Sequence, residues 1–479
     1  MFLGLDLGTT NVKTLVVEAG GRVVAEGSAA VDRLCTPDGG VEQDIEQIWQ
    51  AACAAVRQAA AGVEAARIQA IGVSSQGGTL QLLDPLGKPI GRAVSWLDSR
   101  GRPFDRRLVD ELGEDFFAAH VGYRGSALTP GQVLRLRQEA PEEWARAASL
   151  GFVGDVVVGR LCGRRAHDAT SLSIAFLLNP SLARADPELL ARLELREEQL
   201  PDLLPATTPA GRLRRDAAEQ LGLVAGIPVS PAVHDQYAGA LGAGSVREGD
   251  VCFGTGTAWV LVANHGRLHP PVTPQAIVCP HPVVGLYGQM LSMVNGGSAI
   301  EWVTSLAGGA ISPQAIDDAL EAVPPASEGL VFWPLLVPGL GSGPAGHGGR
   351  INGLTLAHSV KHLLRAAVEG LACELARHLR LLAGADFPVR RLLMCGRGAA
   401  SRVTPAIVAD VTGQPVACVS QPAVSAFGAA TIARALVEPG SELVQLADRF
   451  APARRTVLPG EHGGTYSRLL EEYLQHFAE

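Results

Sequence analysis

Several familiar functional motifs are missing from this sequence of 479 residues. Its eight cysteines are never closer than 18 positions, so no C-x-x-C pair for a metal or redox centre occurs. No G-x-x-x-x-G-K-[ST], G-x-S-x-G or H-E-x-x-H segment is present, nor a G-x-G-x-x-G with a downstream ribose acid. These absences exclude the P-loop, the hydrolase elbow, the zinc-protease helix and the dinucleotide fingerprint.

Excess positive charge is also missing. Arginine and lysine together number 40 against 48 aspartates and glutamates, and the net charge of −8 predicts no nucleic-acid or anionic-membrane partner. The stretch between Arg267 and Glu301 has no charged residue, but its five prolines favour turns and buried strands over a membrane span. The start MFLGLDLGTTNVK lacks the features of a signal peptide, which predicts a cytoplasmic protein with free thiols.

A strand, a Gly/Thr loop and a second strand open each half of the chain. FLGLD, LGTTN and VKTLVVE lie at the start, and DVCF, GTGT and AWVLVA lie near the middle, with Gly8 and Gly254 separated by 246 positions. Helix-like segments such as DIEQIWQAACAAVRQAA alternate with β-rich ones. The sequence therefore predicts a duplicated α/β architecture with domains at 1–245 and 246–479 and an interdomain cleft.

The two Gly/Thr loops have the composition of phosphate-binding loops. Glycine permits close backbone approach to an anion, hydroxyl and N–H groups donate to phosphate oxygens, and an acid at a strand end can hold hydrated Mg²⁺. The alternative for a single loop is a simple hairpin connection, which the repetition makes less attractive. The candidate groups are Asp6, Gly8, Thr9, Thr10, Asn11 and Lys13 in the first loop, and Gly254, Thr255, Gly256 and Thr257 in the second.

The start DLGTT, the second Gly/Thr loop and the stretch GGRINGLTLAHSVKHLLRAAVEG together resemble the FGGY carbohydrate kinases. This family is a branch of the sugar kinase, Hsp70 and actin superfamily. The resemblance implies two ribonuclease-H-like domains, with sugar and catalytic base in the first and nucleotide in the second. It also implies ATP and Mg²⁺ as cofactors, Asp6 and Asp235 at the metal, and phosphoryl transfer to a hydroxyl.

The segment GIPVSPAVHDQYAGALGAG resembles the family region that carries the catalytic base, here Asp235. A carboxylate suits that role because the attacking hydroxyl must lose a proton. Gln236 is assigned beside it to substrate binding. The alternative is that Asp235 only caps the small-residue helix that follows. For His234 we expect a satisfied, partly buried histidine rather than a substrate contact.

On the nucleotide side, MCGRGAASRVTPAIVADVTGQPV resembles the adenosine-binding segment, with Arg397 in place of a middle glycine. The segment VNGGSAIEW, with Asn295 and Gly297, resembles a second nucleotide contact, and PAVSAFGAATIARA resembles the final helix of the family. Tight turns are the alternative interpretation of both glycine-rich segments. The assigned nucleotide contacts are Gly297, Gly396, Arg397, Gly398 and Ser401.

On the substrate side, IGVSSQGGTLQLLD and AVSWLDSR resemble the strands that meet the sugar, with Gln76, Trp96 and Asp98 assigned to it. The alternatives are a core position for Trp96 and an ion pair of Asp98 with Arg100. Xylulokinases usually have Met-His, and glycerol kinases Arg-Glu, where this chain has Gly77 and Gly78. We expect these glycines to open the substrate pocket. A Gly-Glu-Arg common in relatives is replaced by Pro338, Gly339 and Leu340.

The length and segment order are closest to xylulokinases, so the first expectation is an ATP-dependent kinase of a ketopentose such as D-xylulose. The alternatives are a kinase of another ketose or polyol, and a sensing relative that has lost turnover. A third is an Hsp70- or actin-like ATPase with protein partners, which would hydrolyse ATP regardless of sugar. The predicted partner is a small sugar or polyol, and whether the chain forms a homodimer stays open.

Overall fold

The structure of the chain is a computed structural model that describes residues 1–293, 295–306, 308–309, 311–336, 348–438 and 440–477. Two compact units are present. The first consists of Met1–Arg247, Asn264–Gln289 and Ala423–Pro452, and the second of Glu248–Ala263, Met290–Pro422 and Ala453–Glu479. A linear boundary after residue 245 assigns the two later segments of the first unit to the second domain. In the structure they pack with the first unit instead.

Strands and helices are mixed along the whole chain, in agreement with the predicted α/β class. The strands are β1 Phe2–Leu7, β2 Asn11–Val17, β3 Val23–Ala30, β4 Leu34–Cys35, β5 Val41–Gln43, β6 Ile71–Ser75, β7 Leu80–Leu83, β8 Pro89–Val94, β9 Ser149–Phe152, β10 Ala166–His167, β11 Leu178–Asn179, β12 Arg184–Ala185, β13 Asp202–Leu203, β14 Gly211–Arg212, β15 Pro228–His234, β16 Asp250–Thr255, β17 Trp259–His265, β18 Ile277–Pro280, β19 Tyr287–Ser292, β20 Val331–Trp333, β21 Arg350–Asn352, β22 Arg391–Gly396, β23 Val416–Val419 and β24 Arg454–Val457. The helices are α1 Ile45–Ala60, α2 Arg102–Leu112, α3 Glu114–Val121, α4 Thr129–Glu139, α5 Pro141–Arg146, α6 Val153–Cys162, α7 Ala169–Ile174, α8 Pro187–Arg192, α9 Arg215–Leu221, α10 Asp235–Ala243, α11 Gly297–Ser305, α12 Pro313–Glu321, α13 Val360–Gly384, α14 Arg397–Ala400, α15 Thr404–Thr412, α16 Val424–Ala435, α17 Leu443–Phe450 and α18 Gly463–Gln475.

The main sheet of the first unit has the order β13-β10-β15-β6-β1-β2-β3. Strands β10, β15, β6 and β1 run parallel, and β2 and β3 continue from β1 as antiparallel neighbours. Both faces of these strands are buried because helices cover the sheet on either side, which explains their continuous apolar runs. The strand, loop and hairpin predicted for the first 30 residues are thereby confirmed.

Helix α1 covers one face of this sheet. Asp44 accepts the N–H of Glu46 as the N-cap, and the buried side of the helix carries Ile48, Trp49 and Val56. Helix α16, from late in the chain, covers the other face with Ala426, Phe427 and Ala430. Both helices are predicted by the sequence, but the position of α16 in the first unit is not.

A smaller sheet in the first unit has the order β4-β5-β8-β7-β9. It packs with α4 and α7 around a second core that includes Leu80, Phe117, Val133 and Phe176. This sheet supports the residues that follow β6 and β8, and it therefore fixes one wall of the candidate site.

The second unit repeats the central part of this topology. Its sheet contains β17-β16-β22-β23-β24 in that order, with β16, β22 and β23 parallel and β17 antiparallel to β16. Strands β16 and β17 thus correspond to β1 and β2, and β22 corresponds to β6. The repeated strand-loop-strand pattern of the sequence therefore reflects a repeated fold.

The stretch GGRINGLTLAHSVKHLLRAAVEG leads into the buried helix α13, which begins after the N-cap Ser359. Within it, Arg365 donates to Glu369 at 2.8 Å, and Glu369 also accepts from Ser327 and Tyr466. Each carboxylate oxygen therefore has a partner, as a buried charge requires. In the described part of the chain no helix is both long and apolar enough to cross a membrane.

Candidate active site

Three parallel strands of the first unit end at the same edge of the sheet. The register pairs Leu7 of β1 with Ser75 of β6, and Ser75 with His234 of β15. The residues at or just after these ends are Asp6, Gln76 and Asp235. Carboxyl ends of parallel strands are where α/β folds place their ligands, so the topology brings these candidates to one place.

Asp6, the last residue but one of β1, lies opposite Ser74, the last residue but one of β6. Ser74 Oγ donates to Asp6 Oδ1 over 2.8 Å. Burial and, to a smaller extent, the negative charge of Asp235 raise the pKa of Asp6 to about 7, against the opposing effects of Ser74 and Lys13. The two carboxylates are therefore close enough to interact electrostatically.

Asp235 is the first residue of α10, and His234 occupies the N-cap position. The capping interpretation of Asp235 therefore does not describe this helix. Burial raises the pKa of Asp235 to about 6, opposed by hydrogen bonds from the backbone and side chain of Gln236. The side chain keeps 27% of its surface exposed, so a ligand can reach the carboxylate. Ser425 Oγ donates to the backbone oxygen of Asp235 over 3.0 Å.

Asp6 and Asp235 present the type of ligand that Mg²⁺ prefers. This ion takes oxygen ligands and usually keeps several waters, needing only one or two carboxylates from the protein besides substrate phosphates. The pair fits that pattern. Within the described ranges, no group of three or more His, Cys, Asp and Glu side chains could hold a metal ion.

The first Gly/Thr loop is tied to the end of β6. Thr9 Oγ1 donates to Gln76 Oε1 over 3.1 Å and accepts from Trp96 Nε1 over 2.9 Å. Gln43 Nε2 donates to the backbone oxygen of Thr9. Thr9 is therefore a structural link in this loop. The other polar loop side chains are exposed and available to a ligand, namely Thr10, Asn11 and Lys13.

Gln76 and Trp96 both lie at this edge. Gln76 is 3% exposed, its oxygen accepts from Thr9 and Thr79, and its Nε2 is buried without a partner. Trp96 is 43% exposed, which rules out the core position considered for it. A half-exposed indole beside a buried amide donor suits a polyhydroxylated ligand.

The space beside Gly77 and Gly78 is filled, contrary to the expectation of an opened pocket. A Cβ atom on Gly77 would lie 2.5 Å from Ile174 Cγ2 and 2.6 Å from His234 Cδ2. A Cβ atom on Gly78, whose φ is +72°, would lie 2.5 Å from Leu128 Cδ1. These three neighbouring side chains occupy the volume that larger residues would need.

Asp98 is 6% exposed and its two oxygens have protein partners. Arg100 Nη2 donates to Oδ2 over 2.6 Å, the Val41 N–H donates to the same oxygen, and Gln132 Nε2 donates to Oδ1. Arg100 also pairs with Glu42 at 2.7 Å. The ion-pair alternative therefore describes the contacts of Asp98.

His234 is 5% exposed, and burial lowers its pKa to about 3, so the imidazole is neutral. Its Nε2 lies 3.3 Å from Asp235 Oδ1, whereas its Nδ1 is buried with no partner. The expectation of a satisfied histidine is wrong for Nδ1.

In the second unit, the end of β16 pairs with the end of β22, with Thr255 opposite Gly396. Thr255 Oγ1 donates to the Cys395 oxygen over 2.6 Å and accepts from the Gly398 N–H over 2.8 Å. Gly396 has a φ of +86° and thus needs to be glycine. The Thr255 hydroxyl therefore joins the second Gly/Thr loop to the turn at Gly396. The sequence assigned Gly254 and Thr255 to phosphate binding, but the Thr255 hydroxyl is already hydrogen-bonded within the protein.

The rest of the second Gly/Thr loop joins the start of α11. Gly256 and Thr257 are exposed, and their backbone oxygens accept the N–H groups of Gly297 and Ser298 over 2.9 and 3.0 Å. Arg397 is exposed, and Ser401 Oγ donates to Asp317 over 2.5 Å. The nucleotide candidates of the second unit are therefore brought together, while Pro338, Gly339 and Leu340 lie outside the described residues.

Sequence reasoning missed several residues of this edge. Ser74 and Thr79 lie within the segment IGVSSQGGTLQLLD, but residue type alone did not indicate their hydrogen bonds to Asp6 and Gln76. Ile174 and Leu128 become neighbours of the glycine pair only after folding. The residues missed are Ser74, Thr79, Leu128, Ile174 and Ser425.

Comparisons with known proteins agree with this architecture. The N-terminal domain model of the FGGY family of carbohydrate kinases matches residues 1–242, and the C-terminal domain model matches residues 251–436. The chain therefore belongs to the FGGY family of carbohydrate kinases. It is an ATP-dependent carbohydrate kinase with the two-domain α/β fold of the sugar kinase, Hsp70 and actin superfamily.

Three similar proteins are named as kinases of different substrates. The chain is 28% identical to a glycerol kinase of Delftia acidovorans, covering 94% of each chain. It is 26% identical to an L-fuculokinase of Salmonella typhi, covering 90% of this chain and 91% of the relative. A crystal structure of xylulose kinase from Rhodospirillum rubrum superposes with a TM-score of 0.90 at 26% identity, covering 100% and 98% of the two chains.

Proposed function

We propose that this kinase transfers the γ-phosphoryl group of ATP to a hydroxyl of a ketopentose such as D-xylulose, with Asp235 as general base. The supporting observation is the position of Asp235 in the first turn of α10, partly exposed, beside Asp6 at the ends of three parallel strands. The structural likeness to a xylulose kinase favours a ketose among the substrates that relatives use.

The contribution of Asp235 follows from its surroundings. A pKa of about 6 leaves the carboxylate ionised at neutral pH, yet basic enough to accept a proton from a hydroxyl held within hydrogen-bond reach. The N-terminus of α10 stabilises the ionised form. Asp235 would therefore hold and deprotonate the acceptor hydroxyl while that oxygen attacks phosphorus.

Asp6 and Asp235 are proposed to hold Mg²⁺, which when bound neutralises phosphate charge during transfer. The exposed loop residues Thr10, Asn11 and Lys13 would donate to phosphate oxygens. In the second unit, the backbone of Gly256, Gly297 and Gly398 and the exposed Arg397 are proposed to contact the nucleotide. Gln76 Nε2 and the face of Trp96 would contact the sugar, together with Gln236.

The experiment is ADP release with Mg-ATP against ketopentoses, ketohexoses, aldoses and polyols, including glycerol and L-fuculose. We expect one ketose to stimulate turnover, and Asp235→Asn to lower kcat by about 10²- to 10⁴-fold because the proton acceptor is lost. Nucleotide affinity, measured by calorimetry, should stay unchanged. Asp44→Asn is the matched control. It makes the same substitution at the N-cap of α1, where the oxygen of asparagine can accept the same backbone hydrogen bond, so this variant should retain full turnover.

Two outcomes would contradict the proposal. Full turnover of Asp235→Asn would exclude this residue as the base. A protein that binds ATP but releases ADP with no sugar of the panel would favour the sensing relative, which the saturated Thr255 hydroxyl and the Arg397 substitution also favour. Stimulation by a polyol alone would redirect the substrate while keeping the reaction.

A further inference from the structure

The imidazole of His234 contacts the proposed catalytic carboxylate. Nε2 lies 3.3 Å from Asp235 Oδ1, and the whole residue is 5% exposed. A carboxylate only accepts hydrogen bonds, so the neutral ring is assigned the tautomer with its proton on Nε2. This ring therefore faces Asp235 as a donor, at a distance that can shorten when a ligand binds.

The ring has few ways to turn away from this contact. Its backbone N–H donates to Thr170 Oγ1 over 3.0 Å, which fixes the end of β15 against α7. Tyr237 lies on one side, with ring centroids 6.2 Å apart. Gly77 lies so close to the ring that a Cβ atom there would be 2.6 Å from Cδ2 and 3.0 Å from Nε2.

Among the described residues, no hydrogen bond to Nδ1 explains the orientation of the ring. The buried Nδ1 has no partner, which costs stability because a buried polar atom has lost its water. An apolar side chain of similar size would avoid that cost. A buried, imperfectly satisfied group that faces a candidate catalytic side chain indicates function instead of stability.

We propose that His234 is a positioning residue for Asp235, and that position 77 is glycine because the imidazole needs the space of a side chain there. The inference rests on the proposed role of Asp235 as base. By donating from Nε2 to Oδ1, His234 would hold the carboxylate in one rotamer and leave Oδ2 to accept the proton of the substrate hydroxyl. Ile174 closes the remaining space beside Gly77.

Steady-state kinetics of His234→Ala and His234→Gln, with the sugar that gives turnover, test this role. We expect His234→Ala to lower kcat by about 10- to 100-fold, because misplacing a reacting group by about 1 Å costs up to 10²-fold. The KM values for sugar and ATP should change by less than about threefold, since the group acts on the transition state. His234→Gln keeps an N–H donor at similar reach and should recover part of the loss.

His167→Ala is the matched control. His167 is a buried neutral histidine of the same unit with both ring nitrogens unpartnered, and it lies at the end of β10, where its backbone pairs with Ala232. Loss of its ring should reduce stability and leave kcat per folded molecule unchanged. An equal fall of kcat in the two alanine variants would overturn the positioning role.

A double-mutant cycle separates this inference from the proposed function. Asp235→Asn with His234→Ala should be as slow as Asp235→Asn alone, since His234 acts only through that carboxylate. Gly77→Ala should also lower kcat, and it should lower kcat by a smaller factor when His234 is already alanine, because only the clash with Ile174 then remains. If the double variant Asp235→Asn with His234→Ala lost kcat by the product of the two single losses, the inference would be overturned.

The two ideas fail in different ways. Full activity of His234→Ala beside an inactive Asp235→Asn would overturn the positioning role and leave the base in place. Full activity of Asp235→Asn would overturn the base, and the inference with it. A wild-type protein with no sugar-dependent turnover would also overturn both.

Discussion

His167, His234 and His281 are three buried histidines of the first unit, and each has at least one ring nitrogen without a partner. The pKa of each is lowered to about 3, mainly by burial, and the charge of Arg165 contributes to this shift for His167. A buried histidine with a depressed pKa binds fewer protons than in the unfolded chain. Its contribution to stability is therefore present above the unfolded pKa and is lost as the pH falls toward the folded pKa.

His167→Phe isolates this contribution at one site. Phenylalanine keeps the stacking of the ring on Phe152, with centroids 5.9 Å apart, and removes two unpartnered nitrogens. Between pH 7.5 and pH 5, the free energy of unfolding of the wild type should fall by about 2 kcal/mol relative to the variant, from an unfolded pKa of about 6.5. Urea titrations at both pH values measure this, and an equal difference at both would contradict it.

Individual residues were predictable where chemistry depends on residue type and position in a motif. Asp6 was proposed from the composition of the first Gly/Thr loop, whereas Gln76 and Asp235 were proposed because their segments resemble the FGGY kinases. The structural roles of Asp98, Thr9 and Thr255 could not be predicted, since the hydrogen-bond partners of these side chains lie far away in the sequence. Residue type alone does not distinguish a hydroxyl that binds a ligand from one that joins two loops.

At the scale of elements, helix α16 contacts the sheet and α10 through backbone that lies unusually close. A Cβ atom on Gly4 or on Gly72 would lie 1.8 Å from the backbone oxygen of Ala426 or Ala429. A Cβ atom on Gly428 would likewise lie 1.8 Å from the backbone oxygen of Ala238. Glycines in β1, β6 and α16 therefore set how closely this helix can lie against the sheet.

Gly72→Ala should consequently destabilise the protein strongly. Neither the helix nor the strand can yield as a side chain does, so we expect a loss of about 3 kcal/mol, the upper end of overpacking effects. Gly20→Ala is the matched control, because no atom lies within 4 Å of its added Cβ. Thermal unfolding of the two variants measures the difference, and equal melting temperatures would show that the close approach is not a constraint.

Most elements around the site follow from local sequence. The helical pattern of DIEQIWQAACAAVRQAA predicts α1, and the β-rich starts of the two halves predict their first strands. The side chains beside Gly77 and Gly78 were not predictable, because Leu128, Ile174 and His234 reach that place from three different elements.

At the scale of the whole molecule, the first unit is assembled from three separate parts of the chain. Its late segment, 423–452, supplies α16 and α17 and buries Phe2, Leu15 and Val17. The resemblance of PAVSAFGAATIARA to the final helix of the family predicts α16, but only tertiary packing decides which sheet this helix covers. This compact unit therefore combines segments from both sides of residue 245.

A fragment of residues 1–247 should accordingly fail to form a native unit. Without α16 the apolar face of β1 and β2 would be exposed. We therefore expect the fragment to bind the hydrophobic fluorescent dye ANS and to show no cooperative thermal transition. Coexpression with residues 248–479 should restore a cooperative transition, because it supplies the missing segment. Cooperative unfolding of the fragment alone, with sharp near-ultraviolet circular dichroism, would contradict this prediction.

The packing of residues 423–452 in the first unit also affects how this unit folds during synthesis on the ribosome. Chains are synthesised at roughly 5–20 residues per second, and early domains usually fold while later ones are still being made. Here the N-terminal sheet must wait for α16, roughly ten to forty seconds after Arg247 is joined. During that interval the face of the sheet that α16 covers, which contains Gly4 and Gly72, is exposed to solvent. We therefore expect chaperones that act on nascent chains to bind this face before α16 is synthesised.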